Sequence, residues 1–276
     1  MGKIDLHIHT NCSDGIYSTE EVLTRAYKNG YTIISITDHD TTEAYDTAFT
    51  LAAEKNIELI PGVEISSEYK KRDIHILAYN FDLQNKRMKK LLHKIYKGRF
   101  VRARRIIKKL ENHGLNINID EIKKVAGERN LIGRPHIARV LMEKGYFSHP
   151  QEIFDKYLGD DGKAFVPKLT YKTGKIIQKI QQAGGVAVLA HPHLIKDDNI
   201  VRDIIEMGID GLEVFYYKCT QTEKQRYNKM ALENKLIRTG GSDFHGFMAD
   251  EALKNFSAPA SVLQELINYK SEANNE

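Results

Sequence analysis

The sequence predicts an α/β fold built on a mostly parallel sheet, open or closed into a barrel, with a helical insertion in its middle. Two observations lead there. Short apolar strand-like runs alternate with helical patterns in two separate blocks, and a basic helical stretch divides the blocks. A third bounds the size: 276 residues, 41% hydrophobic and 28% charged, suffice for one large domain carrying a sizeable insertion.

In the first block the strand-like runs are 3–9, 32–37, 57–65 and 73–79. Helical patterns separate the first three, as at 19–29, where Ser18 suits the N-cap and Gly30 the stop. The third run passes directly to the fourth. Residues 86–114 read as a helix dense in lysine and arginine, further helix follows to about residue 158, and "GDDGKAFVP" reads as a loop leading back. The second block runs helix 173–183, strand 186–190, helix 200–207, strand 211–215, a helix near 223–233 and strand 236–239. Seven strands result. The expected boundaries are 1–82 with 166–276 for the sheet-bearing body and 83–165 for the insertion, and the closing "SEANNE" is expected to fray.

The net charge of +4 hides an asymmetry. Residues 83–168 hold 21 Lys and Arg against 9 Asp and Glu, which leaves 20 basic and 28 acidic residues elsewhere. An acidic body with a basic module points to metal in one and an anionic ligand held by the other. No apolar run approaches the ~18 residues of a membrane span, and the first residues lack the apolar segment of an export signal. Two cysteines, Cys12 and Cys219, are too few for a disulfide framework and suit a reducing cytoplasm.

Candidate ligands open the chain. In "KIDLHIHTNCSDG", His7 and His9 are two apart, so in a strand they share a face while Ile4, Leu6 and Ile8 take the other. "GGSDFHG" repeats the spacing with Asp243 and His245. Between them lie Asp14, His39 in "SITDHDT", Glu64 in "GVEISS", Asp73 and His75 in "RDIHILAY", and His191 in "VLAHPH". His9, His39, Glu64, His191 and Asp243 all fall at or just past the C-terminal end of a strand, the edge where parallel α/β folds gather functional groups; His75, inside its strand, has to face inward. Nitrogen and carboxylate donors without thiolate suit Zn²⁺, Mn²⁺ or Fe²⁺. Even nine of these donors are too many for one ion, so two or three ions sharing carboxylates are expected, with Glu64 the candidate bridge. Clustered divalent ions suit phosphate-ester hydrolysis by metal-activated hydroxide.

"DLHIHTNCSDG", "SITDHDT", "GVEIS", "IHILAY", "LAHPH" and "GGSDFHG" resemble, in order, the motifs of the polymerase-and-histidinol-phosphatase (PHP) family of metal-dependent phosphoesterases. The resemblance implies a distorted seven-stranded (β/α)7 barrel with a mostly helical inserted domain and a trinuclear site. It assigns His7, His9, Glu64 and Asp243 to one ion, Asp14, His39 and His245 to a second, and Glu64, His75 and His191 to a third. "NLIGRPHIARVLMEKGY" and "AFVPK" look like the insertion of bacterial members that act on nucleoside 3′,5′-bisphosphates and short 5′-phosphorylated RNA, usually with Mn²⁺. That likeness implies removal of a 3′-phosphate or 5′-to-3′ release of nucleotides, with Arg134 and His136 holding substrate phosphate. "VFYYKCTQ" departs from the family beyond Tyr217. No membrane and no obligate protein partner is expected beside the nucleotide or RNA substrate. Histidinol-phosphate phosphatase is the alternative activity, and a non-catalytic RNA-binding or structural PHP domain the alternative class.

Other residues carry paired readings. In "IYKGRFVRARRIIKKLENHG", Ile95, Ala103, Ile106, Ile107 and Leu110 make an apolar face, while Arg102, Arg105 and Lys109 are either solvated or touch RNA phosphates. Asp38 and Asp40 either steady an imidazole or shape a turn; Glu213 ends a strand within reach of the same edge. Cys12 reads as an incidental thiol. Tyr216 and Tyr217 either stack on a base or pack in the core.

Overall fold

A computed structural model describes residues 2–126, 131–169, 171–246 and 251–273. The first block gives β1 (Lys3–Ile8), α1 (Thr19–Lys28), β2 (Tyr31–Ile36), α2 (Tyr45–Ala53), β3 (Glu58–Leu59), β4 (Gly62–Tyr69) and β5 (Arg72–Tyr79). Ser18 caps α1 as expected: its side chain accepts from the Glu21 amide, and Glu21 accepts from the Ser18 amide. Among the described residues there are eight strands rather than seven, because the run 57–65 breaks at Ile60–Pro61. Pro61 has no N–H to give a ladder, so β3 and β4 become separate strands.

Helices α3 (Lys86–Glu111), α4 (Ile119–Ala126), α5 (Arg134–Glu143) and α6 (Pro150–Ile153), the last running into a π-helical turn at Phe154–Leu158, form the inserted stretch. The second block gives α7 (Thr173–Gln181), β6 (Val186–Leu189), α8 (Asp198–Glu206), β7 (Gly211–Tyr216), α9 (Gln221–Glu233) and β8 (Ile237–Gly241), then α10 (Glu251–Asn255) and α11 (Ala260–Ala273). Helix α11 runs to Ala273, and residues 274–276, the rest of "SEANNE", lie outside the described residues. No helix among the described residues is long and apolar enough to cross a membrane.

The strands form two sheets, β1–β2–β3 and β4–β5–β6–β7–β8. Four pairings are parallel, as expected; β4 with β5 and β5 with β6 are antiparallel. A direct turn between neighbouring strands forces the first reversal. Isolated parallel bridges, His39 to Glu64 and Ile8 to Phe244, tie the sheets together at both ends. At the second junction β8 presses on β1 so closely that a Cβ on Gly241 would sit 2.1 Å from that of His7. Glycine is therefore required there.

Helix α3 spans two cores. Its Met88, Leu91, Leu92 and Ile95 pack with the residues of β4–β7, whereas Ala103, Ile106, Ile107 and Leu110 belong to a separate cluster with α4, α5 and the chain up to Val166. The helices of the inserted stretch thus share an apolar cluster of their own.

Candidate metal centre and phosphate site

The nine expected donors come to one place because strand register puts them there. His7 and His9 project together from β1 and its end, both almost wholly buried, while Ile4 and Leu6 enter one apolar cluster and Ile8 another. The β8–β1 junction is bonded through Asp243 N to His7 O (2.8 Å) and His9 N to Phe244 O (2.9 Å), which sets Asp243 and His245 beside them. Across the other junction Asp40 N donates to Glu64 O (2.8 Å), bringing His39 to Glu64. His191 and Asp243 both hold positive φ, 29° and 54°. Such backbone is uncommon away from glycine and collects at functional sites.

Three groups of donor atoms result, each with its members within 4.8 Å: His7, His9, Glu64 and Asp243; His9, Asp14, His39 and His245; and His39, Glu64 and His75. The first matches the expected set outright, the second adds His9 to it, and the third holds His39 where His191 was expected. His191 is nonetheless close: its Nε2 lies 2.9 Å from Glu64 Oε1, as does His75 Nδ1. Asp73 stays outside, paired with Lys168 at 2.9 Å.

The first group fits a metal on its own distances. His7 Nε2 and His9 Nε2 are 3.1 Å apart, His7 Nε2 is 3.3 and 3.4 Å from Glu64 Oε2 and Asp243 Oδ1, and His9 Nε2 is 3.2 Å from each. A regular tetrahedron with edges of about 3.2 Å has its centre about 2.0 Å from every corner, the length of a Zn–N or Zn–O bond. Nδ1 of His9, His39 and His75 is also buried without a hydrogen-bond partner, although two of them lie near Glu64. Orphaned nitrogens of this kind call for a cation.

The surroundings hold the donors in place. Glu213, fully buried, accepts from His7 Nδ1 (2.9 Å) and from the His191 amide (2.8 Å), leaving His7 Nε2 free to ligate. Asp5, on the same face of β1, takes the amides of His7 and Ser242, and burial pushes its carboxyl up to about 7. The Tyr216 hydroxyl donates to Asp243 Oδ2 (2.8 Å). Asp38 does not steady His39; it takes Thr10 N, Thr10 Oγ1 and Ser13 Oγ (2.7, 2.6 and 2.6 Å) and so shapes the loop that carries Asp14. Burial would raise the carboxyls of Glu64, Asp14 and Asp243, yet the imidazoles around them hold all three below the usual range. In return, burial of His9 is outweighed by Asp243 and Glu64, which push it up to about 10. Burial wins at His39, down to about 3. The centre thus attracts positive charge.

Beside it opens a cavity of about 200 Å³ lined by the donors Asp14, His39 and His75 and by Arg99, Arg102, Arg134, His136 and Lys168. Arg134, at the start of α5, donates to Leu158 O (2.9 Å) and Asp160 Oδ1 (2.8 Å). The Gly133 amide donates to His136 Nδ1 (3.1 Å), so the neutral ring carries its proton on Nε2. Burial lowers this imidazole from its ordinary value. Arg99 is fixed by the buried Asp40 carboxylate and by Ser66.

Comparisons with known proteins agree with this geometry. A family model for the PHP domain matches residues 5–165. The chain belongs to the PHP family. A 5′-3′ exoribonuclease of Haemophilus influenzae is 37% identical to it over 249 residues, 88% of this chain and 90% of that protein. A 3′,5′-nucleoside bisphosphate phosphatase of Chromobacterium violaceum is 30% identical over 252 residues, 89% and 88% of the two chains. A solved structure from Bifidobacterium adolescentis, of a protein proposed to be a metal-dependent phosphoesterase, superposes with a TM-score of 0.86, 29% identity and coverage of 96% and 95%. This PHP protein is a metal-dependent phosphoester hydrolase.

Sequence reasoning missed several residues of the candidate site. Arg99 and Lys168 were not singled out, Asp5 was overlooked on the His7 face, and Tyr216 turns out to bind Asp243 rather than stack on a base. Tyr217 is half-buried near Phe256, with ring centroids 6.4 Å apart. Of the basic face of α3, Arg102 reaches the cavity, whereas Arg105 is exposed and Lys109 donates to Phe165 O. Cys12 is half-buried and burial pushes its thiol up to about 11, so it stays protonated and unreactive near neutral pH.

Proposed function

We propose that the protein hydrolyses phosphate esters of nucleotides: the 3′-phosphate of nucleoside 3′,5′-bisphosphates, the 3′-side linkage of short 5′-phosphorylated RNA, or both. One observation carries this reading: carboxylate and imidazole donors line the same cavity as three arginines and a lysine. Donors suit divalent cations, and the cationic side chains suit phosphate. The activities named for the Haemophilus influenzae and Chromobacterium violaceum relatives point the same way.

His7, His9, Glu64 and Asp243 would hold one ion, Asp14, His39 and His245 a second, and Glu64, His75 and His191 a third, with Mn²⁺ the metal proposed and Zn²⁺ or Fe²⁺ the alternatives. Bound there, the ions supply Lewis acidity to water and to the phosphoryl oxygens. The chain's own groups do the rest. Glu213 keeps His7 in the tautomer that ligates, and Tyr216 fixes one oxygen of Asp243. His136, neutral and with its Nδ1 occupied, offers an N–H to a phosphate oxygen at neutral pH. Arg134 adds a fixed positive charge, which counts for more in a half-buried cavity than in water.

The two sheets, joined at His39–Glu64 and Ile8–Phe244, are read here as parts of one distorted barrel, with residues 83–165 as the module that recognises substrate. The two free cysteines suit work in the cytoplasm. The test is a Mn²⁺-supplemented assay on adenosine 3′,5′-bisphosphate, AMP, histidinol phosphate and a 5′-phosphorylated RNA trimer. Turnover of the bisphosphate or the trimer well above the other two is expected. Preference for histidinol phosphate would overturn the nucleotide reading.

A further inference from the structure

Helix α3 leaves one apolar cluster at Ile95 and enters the other at Ala103. None of residues 96–102 between them is buried, and Gly98 weakens the helix there, because glycine in a helix interior loses more backbone entropy than any other residue. This stretch nevertheless carries Arg99 and Arg102, which both line the cavity beside the donors. No buried apolar side chain of its own fixes it against the strands.

Asp40 supplies the link. It is 1% exposed. One carboxylate oxygen accepts from the Ser66 amide (2.7 Å), and the other takes the Arg99 guanidinium through Nε (3.1 Å) and Nη2. Nη2 also donates to Ser66 Oγ (3.2 Å). These residues adjoin three donors. Asp40 follows His39, and its amide donates to Glu64 O (2.8 Å). Ser66 lies two residues beyond Glu64, on the same face of β4, and pairs with His75 of β5. The backbone of Asp40 holds a φ of 55°, a conformation that a short polar side chain tolerates at a cost. Arg99 and Arg102 are three apart on one helical face, so fixing the first sets the second. Asp40 itself does not line the cavity; its influence there passes through Arg99.

We propose that Asp40 is a positioning residue of the reaction: by gripping Arg99 it sets the cationic part of α3 against the metal donors and so aligns the inserted stretch for nucleotide esters. The inference rests on the hydrolase reading above and adds what holds the two parts of the site in register. A residue with that role matters for substrates that touch both the donors and α3. It matters little for an ester small enough to need the donors alone.

KM and kcat are measured with the full chain, Mn²⁺-loaded, on adenosine 3′,5′-bisphosphate and on p-nitrophenyl phosphate, for wild type, Asp40→Asn, Arg99→Gln and the double variant. Asp40→Asn keeps an acceptor for the Ser66 amide and loses the charge that grips Arg99. It should lower kcat/KM for the bisphosphate about 100-fold, the scale on which a misplacement of about 1 Å acts, and change that for p-nitrophenyl phosphate little. Equal losses on the two esters, as general damage to the fold would give, overturn the proposal, and so does no loss on either. The double variant should be no worse than Arg99→Gln, whereas losses that multiply would mean that Asp40 acts independently of Arg99 and would also overturn it. If Asp40→Asn fails to fold, Ser66→Ala decides. It removes one bond to Arg99 and should shift the ratio of the two esters the same way, by about tenfold at most; an unchanged ratio overturns the proposal. Calorimetric titration of adenosine 3′,5′-bisphosphate separates the two readings. Weaker binding by Asp40→Asn with no turnover by any form supports the positioning role and overturns the hydrolase reading. Turnover with an unchanged ratio of the two esters overturns the positioning role alone.

Discussion

The donor cluster and the cationic side chains line one cavity, yet they are built on different terms. The donors sit within strands or in the loops that follow them, mostly buried, and several are held by a second residue: His7 by Glu213, Asp243 by Tyr216. The cations come from α3, α5 and the loop before Lys168; some are half-exposed and lean on carboxylates that solvent already covers. Strand pairing and the bonds at the sheet junctions hold the first set. Helix packing and a loop dictate the second more loosely. Changes among the donors should therefore destroy chemistry, and changes in the wall should mainly alter affinity.

The largest effect is expected at the donors. His7→Ala removes a ligand from the tightest group, and should abolish turnover together with most bound metal while circular dichroism stays near wild type. Persistence of metal and turnover would break the contrast between the two regions. Arg99→Leu sharpens it from the other side, because Arg99 is the wall cation that behaves like a donor-side residue. It leaves the buried Asp40 carboxylate without its partner, which should cost about 3–5 kcal/mol of stability in urea melts at pH 7. Burial alone would raise Asp40, but Arg99 and its other contacts hold it below its ordinary 3.8. The pair's stabilisation is therefore complete above that value and is lost as the pH falls through the lower folded one. Melts of wild type and Arg99→Leu should converge at strongly acid pH and separate above it.

Smaller effects follow. Glu213→Gln keeps the shape but weakens the grip on His7, and a loss of about 10–100-fold in metal affinity or activity is expected from competition with a chelator. Tyr216→Phe removes one hydrogen bond to Asp243 and should cost about tenfold at most on the same assay. If Tyr216→Phe proved worse than Glu213→Gln, Tyr216 would have a role at the substrate as well.

Much of the donor set was legible because its signal is local. Alternation in "HIH" and "DFH" states which side chains share a face, and the ends of apolar runs state where the strands finish. The break at Pro61 was visible in the letters, but the flanking isoleucines carried the run through it. Glu213 drew notice as a strand-end carboxylate, whereas Asp5 sits among apolar neighbours and shows no sign of its bonds to His7 and Ser242. The wall was harder still. Lys168 follows a proline in a loop with no periodicity, and Arg99 is one cation among many on α3. Only the fold reveals that Arg99 and Arg102, three apart and so on one helical face, are the ones turned toward the cavity.

The central claim is that this cluster holds divalent ions that the reaction requires. Its most direct test is metal analysis of the purified protein, coupled to turnover of adenosine 3′,5′-bisphosphate before chelation, after removal of metal, and after return of Mn²⁺. Two or three ions per chain, loss of activity on chelation and recovery with Mn²⁺ are expected. Full turnover by metal-free protein would overturn the requirement for the ions.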